Sequence, residues 1–353
     1  MQNKVLTIVV PTYNAEDYLE DNLKSLCVNE ILDYLEVIII NDGSTDNSKE
    51  IAEKYVGYYP DTFKIITKLN GGHGSGINYG IKYATGFYFK VIDADDWVDS
   101  LALKRLVDYL RNNSDDIVYS GFLWAIDDGK KNINNFRKKA ERLIPFKDVQ
   151  YKKTYLFDQI ANDLYIKIHN MTIKTSILKK NHIFIDENCY YVDTEFITFP
   201  IPYIKTISFI NEFVYMYRIG RADQSVSIEK MQKNEINYNN VLNSIFKFYD
   251  NLGKDISCSY EKKNYIAKIT ARAIAGKIKI LLSYPISRNK KNQLKEFDTY
   301  IKMNYNEIYI SNCNIAIRLL RVTKYHLYYI LCMLLKLKFF IEGYSKKLRL
   351  IKY

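Results

Sequence analysis

Five short apolar runs, rich in β-branched residues, alternate with helical patterns over the first 120 or so residues, and this alternation constrains the fold more than any other feature. The runs cover residues 5–10, 35–40, 63–67, 87–92 and 117–120, each of strand length. Between them the apolar positions recur with helical spacing: Tyr18, Leu19, Leu23 and Leu26, then Ile51, Ala52 and Tyr55, later Leu103, Leu106, Val107 and Leu110. Asn14 stands where it can cap the first helix, and Ser100 where it can cap the helix after the fourth strand. Strand–helix–strand repetition of this kind predicts an α/β fold with a mainly parallel sheet covered by helices. Such sheets bind ligands at the carboxyl ends of their strands. Polar residues collect at those ends: Thr12, Tyr13 and Asn14 after the first strand, Asp42 after the second, Asp93 and Asp95 after the fourth.

The fourth end carries three carboxylates within four positions, Asp93-Ala94-Asp95-Asp96. Carboxylates this close repel unless a cation sits among them, and a hard divalent ion can also hold a phosphate. The alternative is an acidic turn before a helix N-terminus. Asp42, directly after a buried strand, can accept hydrogen bonds from a nucleotide base, and Tyr13 can stack on one. Asp46 is placed to offset a helix dipole. Residues 70–76, Asn-Gly-Gly-His-Gly-Ser-Gly, form neither a Walker loop nor a GxGxxG, but their glycines permit close approach to a ligand before a helix. His73 reads as a loop residue rather than a metal ligand. Residues 128–142 are polar and basic, a loop or lid.

At 353 residues the chain has room for about two domains. Its five cysteines are scattered without a CxxC, which predicts neither a disulfide framework nor a zinc site and suits a reducing cytosol. Residues 1–14 run straight into a strand without a basic segment and a long apolar stretch, so no secretory signal is expected. The net charge of +11 is concentrated at one end: residues 315–353 hold nine Lys or Arg and one acid, Glu342. Within that tail, residues 325–335 form an uninterrupted apolar run, too short to span a bilayer of about 30 Å. Basic flanks around it predict an interfacial helix on an anionic membrane surface, the alternative being a packed helix with a solvated basic face. No nucleic-acid-binding motif accompanies the charge, so no nucleic-acid partner is expected.

Residues 7–14, 37–46, the loop 70–80 with Asn78, and Asp93-Ala94-Asp95-Asp96-Trp97 together resemble the inverting family 2 glycosyltransferases of bacterial surface-polysaccharide type, in order and spacing over about 110 residues. The chain departs from the family pattern at Asn41, where Asp is usual, and at residues 73–78, where the family often has Ser/Ala and Arg before the Asn. The resemblance implies a GT-A fold, Rossmann-like, over residues 1–227, with a nucleotide-binding half (1–125) and an acceptor half (126–227). A helical C-terminal extension, 228–353, then ends in the basic amphipathic tail 315–353. By the same resemblance Thr12, Tyr13 and Asp42 hold the base, Asp93 faces the ribose, and Asp95 carries Mn²⁺ or Mg²⁺ on the diphosphate. Asp96 shapes the sugar and acceptor side. Pro11, Asn78 and Ala94 line the donor pocket as members of the same segments.

The family places its general base in a Glu-Asp pair before an aromatic-rich helix. Here the matching residues are Tyr190-Tyr191-Val192-Asp193-Thr194-Glu195-Phe196, with Val192 where Glu is usual. Asp193 is the candidate base and Glu195 the fallback, while capping of a helix that starts near Thr194 is the alternative for Asp193. Residues 215–221 and 225–227 resemble the family's Tyr-Arg…Ser-x-Ser segment, where Arg218 or Arg221 would neutralise the pyrophosphate, solvated surface Arg being the alternative. His169 can line the site, and a satisfied structural histidine is the favoured alternative. The Gln-x-x-Arg-Trp signature of processive synthases is absent, which favours transfer of one or a few sugars. The expected activity is inverting transfer from a nucleotide-diphosphate sugar, a UDP-sugar first, to a hydroxyl of a glycan or lipid-linked acceptor. The expected location is the cytoplasmic face of the cell membrane. A nucleotide-sugar-binding scaffold subunit and a sugar nucleotidyltransferase are the alternatives.

Overall fold

The structure, a computed structural model, describes residues 4–127, 136–141, 144–220 and 228–351, with side chains described as far as residue 339. Arg221, residues 225–227 and most of the 128–142 loop lie outside the described residues. The chain forms two compact units, one of Met1–Arg221 with Asn251–Lys262, the other of Ala222–Asp250 with Lys263–Tyr353.

The first unit is built on β1 (Leu6–Thr12), α1 (Glu16–Leu26), β2 (Leu35–Asn41), α2 (Ser48–Tyr58), β3 (Phe63–Thr67), α3 (Gly72–Tyr83), β4 (Tyr88–Val91), β5 (Trp97–Val98), α4 (Ser100–Leu110), β6 (Ile117–Ile126), β7 (Arg137–Ala140), β8 (Thr154–Leu156), α5 (Phe157–Ile160), β9 (Met171–Lys174), α6 (Thr175–Lys180), α7 (Asp193–Thr198) and β10 (Thr206–Ile219). The strands form one sheet in the order β3-β2-β1-β4-β9-β6-β10-β5, with β7 on β6 and β8 on β10. β3, β2, β1 and β4 run parallel, and β1 and β2 at their centre are covered on both faces. All seven residues of β1 and of β2 are buried. The helix faces predicted from spacing seal the core: Leu19, Leu23 and Leu26 of α1 and Leu103, Leu106, Val107 and Leu110 of α4 all belong to it.

The expected fifth parallel strand is displaced. β6 does not pair with β4; β9 lies between them, antiparallel to both. β10 then pairs with β6 in parallel. Two expected caps also differ. Asn14 adopts a left-handed backbone, φ 47°, and its amide nitrogen donates to Ser44 Oγ while its side-chain oxygen accepts from Thr45 N at 2.9 Å. It therefore ties the β1 loop to the β2 loop instead of capping α1. Asp99, not Ser100, caps α4, its Oδ1 accepting from Ala102 N at 2.9 Å.

The second unit holds α8 (Ile228–Lys233), α9 (Glu235–Asn251) as far as Asp250, α10 (Tyr260–Ser283) from Lys263 on, α11 (Arg288–Asn304), α12 (Asn306–Ile310), α13 (Ile315–Val322) and α14 (Tyr328–Ile351). Buried Asp298 of α11 takes a bidentate ion pair from Arg321 of α13, at 3.0 Å from Nε and 2.7 Å from the terminal nitrogen, and a bond from Tyr325 at 2.6 Å. One of the tail's nine cations is thus committed inward. The apolar run 325–335 continues into a helix that extends to Ile351. Among the described residues no helix is long and apolar enough to cross a membrane.

Candidate active site

Strand register brings the polar ends together. Thr12 pairs with Asn41 across β1 and β2, Asp42 N donates to Thr12 O at 2.8 Å, and Ile92 N donates to Val9 O at 3.0 Å. Thr12 is buried, whereas Tyr13 just beyond it is 54% exposed, its ring available to a planar ligand. The carboxylate of Asp42 turns to the start of α3. It accepts from Gly71 N at 2.9 Å and Gly72 N at 2.7 Å and pairs with Lys68 at 2.5 Å. Anionic side chains stabilise a helix N-terminus in this way.

The glycine-rich stretch expected to be a loop is helical from Gly72. Its glycines serve packing. A Cβ on Gly76 would lie 2.8 Å from Pro11 Cβ, one on Gly80 would lie 2.5 Å from Val9, and one on Gly74 would run into the carbonyl oxygen of Asp186. Gly72, at φ +80°, allows the tight entry to the helix. The segment before α7 docks on this turn: Asn188 N donates to Gly71 O at 2.5 Å. Asn78, expected in the donor pocket, instead exchanges hydrogen bonds with Ile185, donating to its carbonyl at 2.8 Å and accepting from its N–H at 2.9 Å.

The carboxylate turn after β4 is braced from three directions. Asn22 of α1, fully buried, donates to the carbonyls of Asp93 and Asp96, both at 2.9 Å. The hydroxyl of Tyr215 accepts from Asp93 N at 3.1 Å and donates to Asp96 Oδ2 at 2.6 Å. Arg218 N donates to Asp96 Oδ1 at 2.7 Å. Burial, with Asp95 and Asp93 adding repulsion, pushes the Asp96 carboxyl well above the usual carboxylate range.

Arg218, expected to face a diphosphate or solvent, does neither. It is buried, Nε donates to Asp95 O at 2.8 Å, and its terminal nitrogens pair with Asp127 at 3.4 Å and Asp21 at 3.6 Å. The rings of Tyr18, Trp97 and Phe136 surround the guanidinium at about 5 Å. Local carboxylates and aromatic faces hold it more firmly than solvent could.

His73 is the residue that sequence reasoning missed most. From the first turn of α3 its Nε2 lies 2.8 Å from Asp93 Oδ1 and its Nδ1 lies 3.5 Å from Asp193 Oδ1. Burial opposes its charge, but Asp93, with Asp193 and Asp95 behind it, lifts the imidazole to about 9. His73 in turn outweighs burial at Asp93 and holds that carboxyl below the usual range. Asp193 opens α7 with half of its side chain (52%) open, and no side-chain cap is made there. Surrounding protein nonetheless desolvates its carboxyl enough to raise it, with His73 opposing and Asp93 assisting. Glu195, the fallback base, is fully buried and accepts from Asp186 N at 2.8 Å. Burial pushes it to about 8, so it is neutral at pH 7 and a poor proton acceptor there.

Three side chains beside this cluster could hold a divalent ion. Asp93, Asp96 and His169 each present a ligand atom, all within 4.8 Å of one another. His169 Nδ1 is buried without a hydrogen-bond partner. Burial holds the imidazole neutral, at about 3, which leaves a lone pair for an ion. Its ring stacks on Tyr217 at 4.5 Å, and its backbone carbonyl accepts from buried Lys90 at 2.8 Å. Sequence reasoning gave the ion to Asp95 and favoured a structural role for His169. Of the residues sequence reasoning missed, only Asn22 carried a local signal, a polar residue on the apolar face of α1.

The architecture and this arrangement define a GT-A type α/β fold. It is similar to Staphylococcus aureus TarS 1-349 in complex with UDP-GlcNAc, at TM-score 0.58 and 18% identity, over 86% of this chain and 82% of that one. Residues 7–181 match the model of glycosyl transferase family 2, and the chain belongs to that family. The minor teichoic acid biosynthesis protein GgaB of Bacillus subtilis is 28% identical over 269 residues, 74% of this chain and 27% of GgaB. The uncharacterized glycosyltransferase EpsJ of the same organism is 40% identical over 118 residues, 33% of this chain and 34% of EpsJ. The chain therefore spans about a quarter and a third of these two relatives.

Proposed function

We propose that this chain is an inverting glycosyltransferase that moves a sugar from a nucleotide-diphosphate donor to a hydroxyl of a surface-glycan or lipid-linked acceptor. The observation that carries this is the meeting of Asp93 and Asp193 across His73. It sets a donor-side carboxylate beside a half-open one on a separate element. The teichoic acid role in the name of GgaB and the UDP-GlcNAc bound to TarS support a UDP-sugar and a cell-surface polymer.

Tyr13 and Thr12 meet the base, with Asp42 shaping that end through α3. Asp93 faces the ribose. Asp93, Asp95 and Asp96, with His169, would hold Mn²⁺ or Mg²⁺, which when bound offsets charge on the departing diphosphate. Asp193 accepts the proton of the acceptor hydroxyl as that oxygen bonds to the anomeric carbon. The bond from that carbon to the diphosphate breaks, its electron pair leaves with the nucleoside diphosphate, and the configuration inverts. Arg218 supports the carboxylate turn and takes no part in these steps. Arg221 remains a candidate for the diphosphate.

Nucleotide release, measured over a panel of nucleotide sugars with acceptor extracts, is expected from a UDP-sugar and should fall by about tenfold or more on chelation, recovering with Mn²⁺. Release from no donor overturns the proposed reaction, and release indifferent to chelation removes the ion from it.

The chain also makes peripheral contact with an anionic membrane. α14 exposes Ile330, Met333, Leu334 and Leu337 along one helical face, and α13 exposes Ile315, Leu319 and Val322. Exposed Lys336 and Lys338 lie beside the first stripe and Arg318 beside the second. Each cation near such a surface adds about 1 kcal/mol. Co-sedimentation with phosphatidylglycerol vesicles is expected, with little on phosphatidylcholine, and Lys336→Glu with Lys338→Glu should weaken it about tenfold or more. Equal sedimentation with both lipids, or with neither, overturns the contact.

A further inference from the structure

We propose that His73 is the positioning residue of this site, a clasp that holds the proton-accepting Asp193 against the donor-side Asp93. The inference rests on the transfer reaction proposed above. Each ring nitrogen faces a carboxylate oxygen, Nε2 toward Asp93 at 2.8 Å and Nδ1 toward Asp193 at 3.5 Å. A single ring lodged between two carboxylates in this way sets the distance between them.

Asp193 needs such a clasp. It opens a helix of six residues. The segment before it turns through two left-handed residues, Asn188 at φ 53° and Tyr191 at φ 69°. Nothing regular upstream fixes the direction of its carboxylate. His73, by contrast, is rigidly mounted. Asp42 binds the N–H groups of Gly71 and Gly72, Asn188 N reaches Gly71 O, and Asn78 pairs with Ile185. The first turn of α3 is therefore held from the nucleotide side and from the acceptor side together. His73 carries that placement to the base, so a base in register with the donor depends on Asp42 and on α3 as much as on α7.

Small misplacements of a reacting group can cost about a hundredfold in rate. In the full chain, His73→Ala is accordingly expected to lower kcat about 10–100-fold with donor KM and nucleotide affinity within about twofold of wild type. Added imidazole is expected to restore part of the turnover in His73→Ala, which a merely structural loss would not allow. Unchanged turnover overturns the clasp, and so does donor affinity that falls in step with kcat. Thermal midpoints of His73→Ala, Asp193→Asn and the double variant supply a readout that needs no turnover. Coupled residues should give shifts that fail to add, by about a degree or more, whereas additive shifts overturn the clasp. A wild-type chain that releases no nucleotide overturns the transfer reaction instead, and the midpoints still decide the clasp.

Discussion

Asp193→Asn should reduce transfer by about 10²–10⁴-fold, the usual contribution of a positioned general base, while nucleotide binding measured by calorimetry stays near wild type. The amide keeps the shape of the side chain but loses the charge that faces His73 and cannot take the acceptor proton. The carboxyl is raised by burial and by Asp93 and lowered by His73. Those opposed influences suit a group that must stay ionised yet bind a proton in the transition state. Retained transfer in the Asp193→Asn chain would move the base elsewhere. Glu195 is a poor substitute because burial keeps it neutral up to about 8.

Arg218→Ala should destabilise the first unit by about 3–5 kcal/mol, the cost of breaking a buried ion pair from one side. The change leaves Asp127 and Asp21 without their shared cation and empties a space lined by Tyr18, Trp97 and Phe136. It also removes the brace on the Asp95 carbonyl. A thermal melt should show a midpoint lower by on the order of ten degrees. A diphosphate ligand would behave differently: its loss would weaken nucleotide binding and leave the melt unchanged. That second pattern would return Arg218 to the role the sequence suggested.

The parallel half of the sheet was legible because its strands are short, mostly apolar runs separated by helices of clear period. β9 was not, since four residues, Met171–Lys174, carry no period of their own and gain their place only by pairing with β4 and β6. The stretch 70–76 read as a loop because glycine disfavours helices. Asp42 capping its first N–H groups, and packing that leaves no room for side chains, override that preference. Asp93 and Asp193 were legible as motif members. His73 and His169 were not, because a histidine's role is set by which carboxylates the fold brings to it. Arg218 illustrates the same limit from the other side: its partners Asp21 and Asp127 lie far from it in the chain, and no local pattern shows that they would claim it.

The seam between Gly71, Gly72 and Gly74 and residues 185–188 bears on engineering. Exchanging residues 182–198 for those of a relative is one way to test the proposed acceptor side. Here a grafted segment would arrive against a helix turn where a Cβ at Gly74 would run into the carbonyl oxygen of Asp186, and whose carbonyl at Gly71 accepts the N–H of Asn188. A chimera that exchanges residues 182–198 alone would therefore lose donor-side order as well as acceptor fit. One that carries residues 70–78 along with them would keep both halves of the joint matched, so the natural unit of recombination in this fold is discontinuous in the gene.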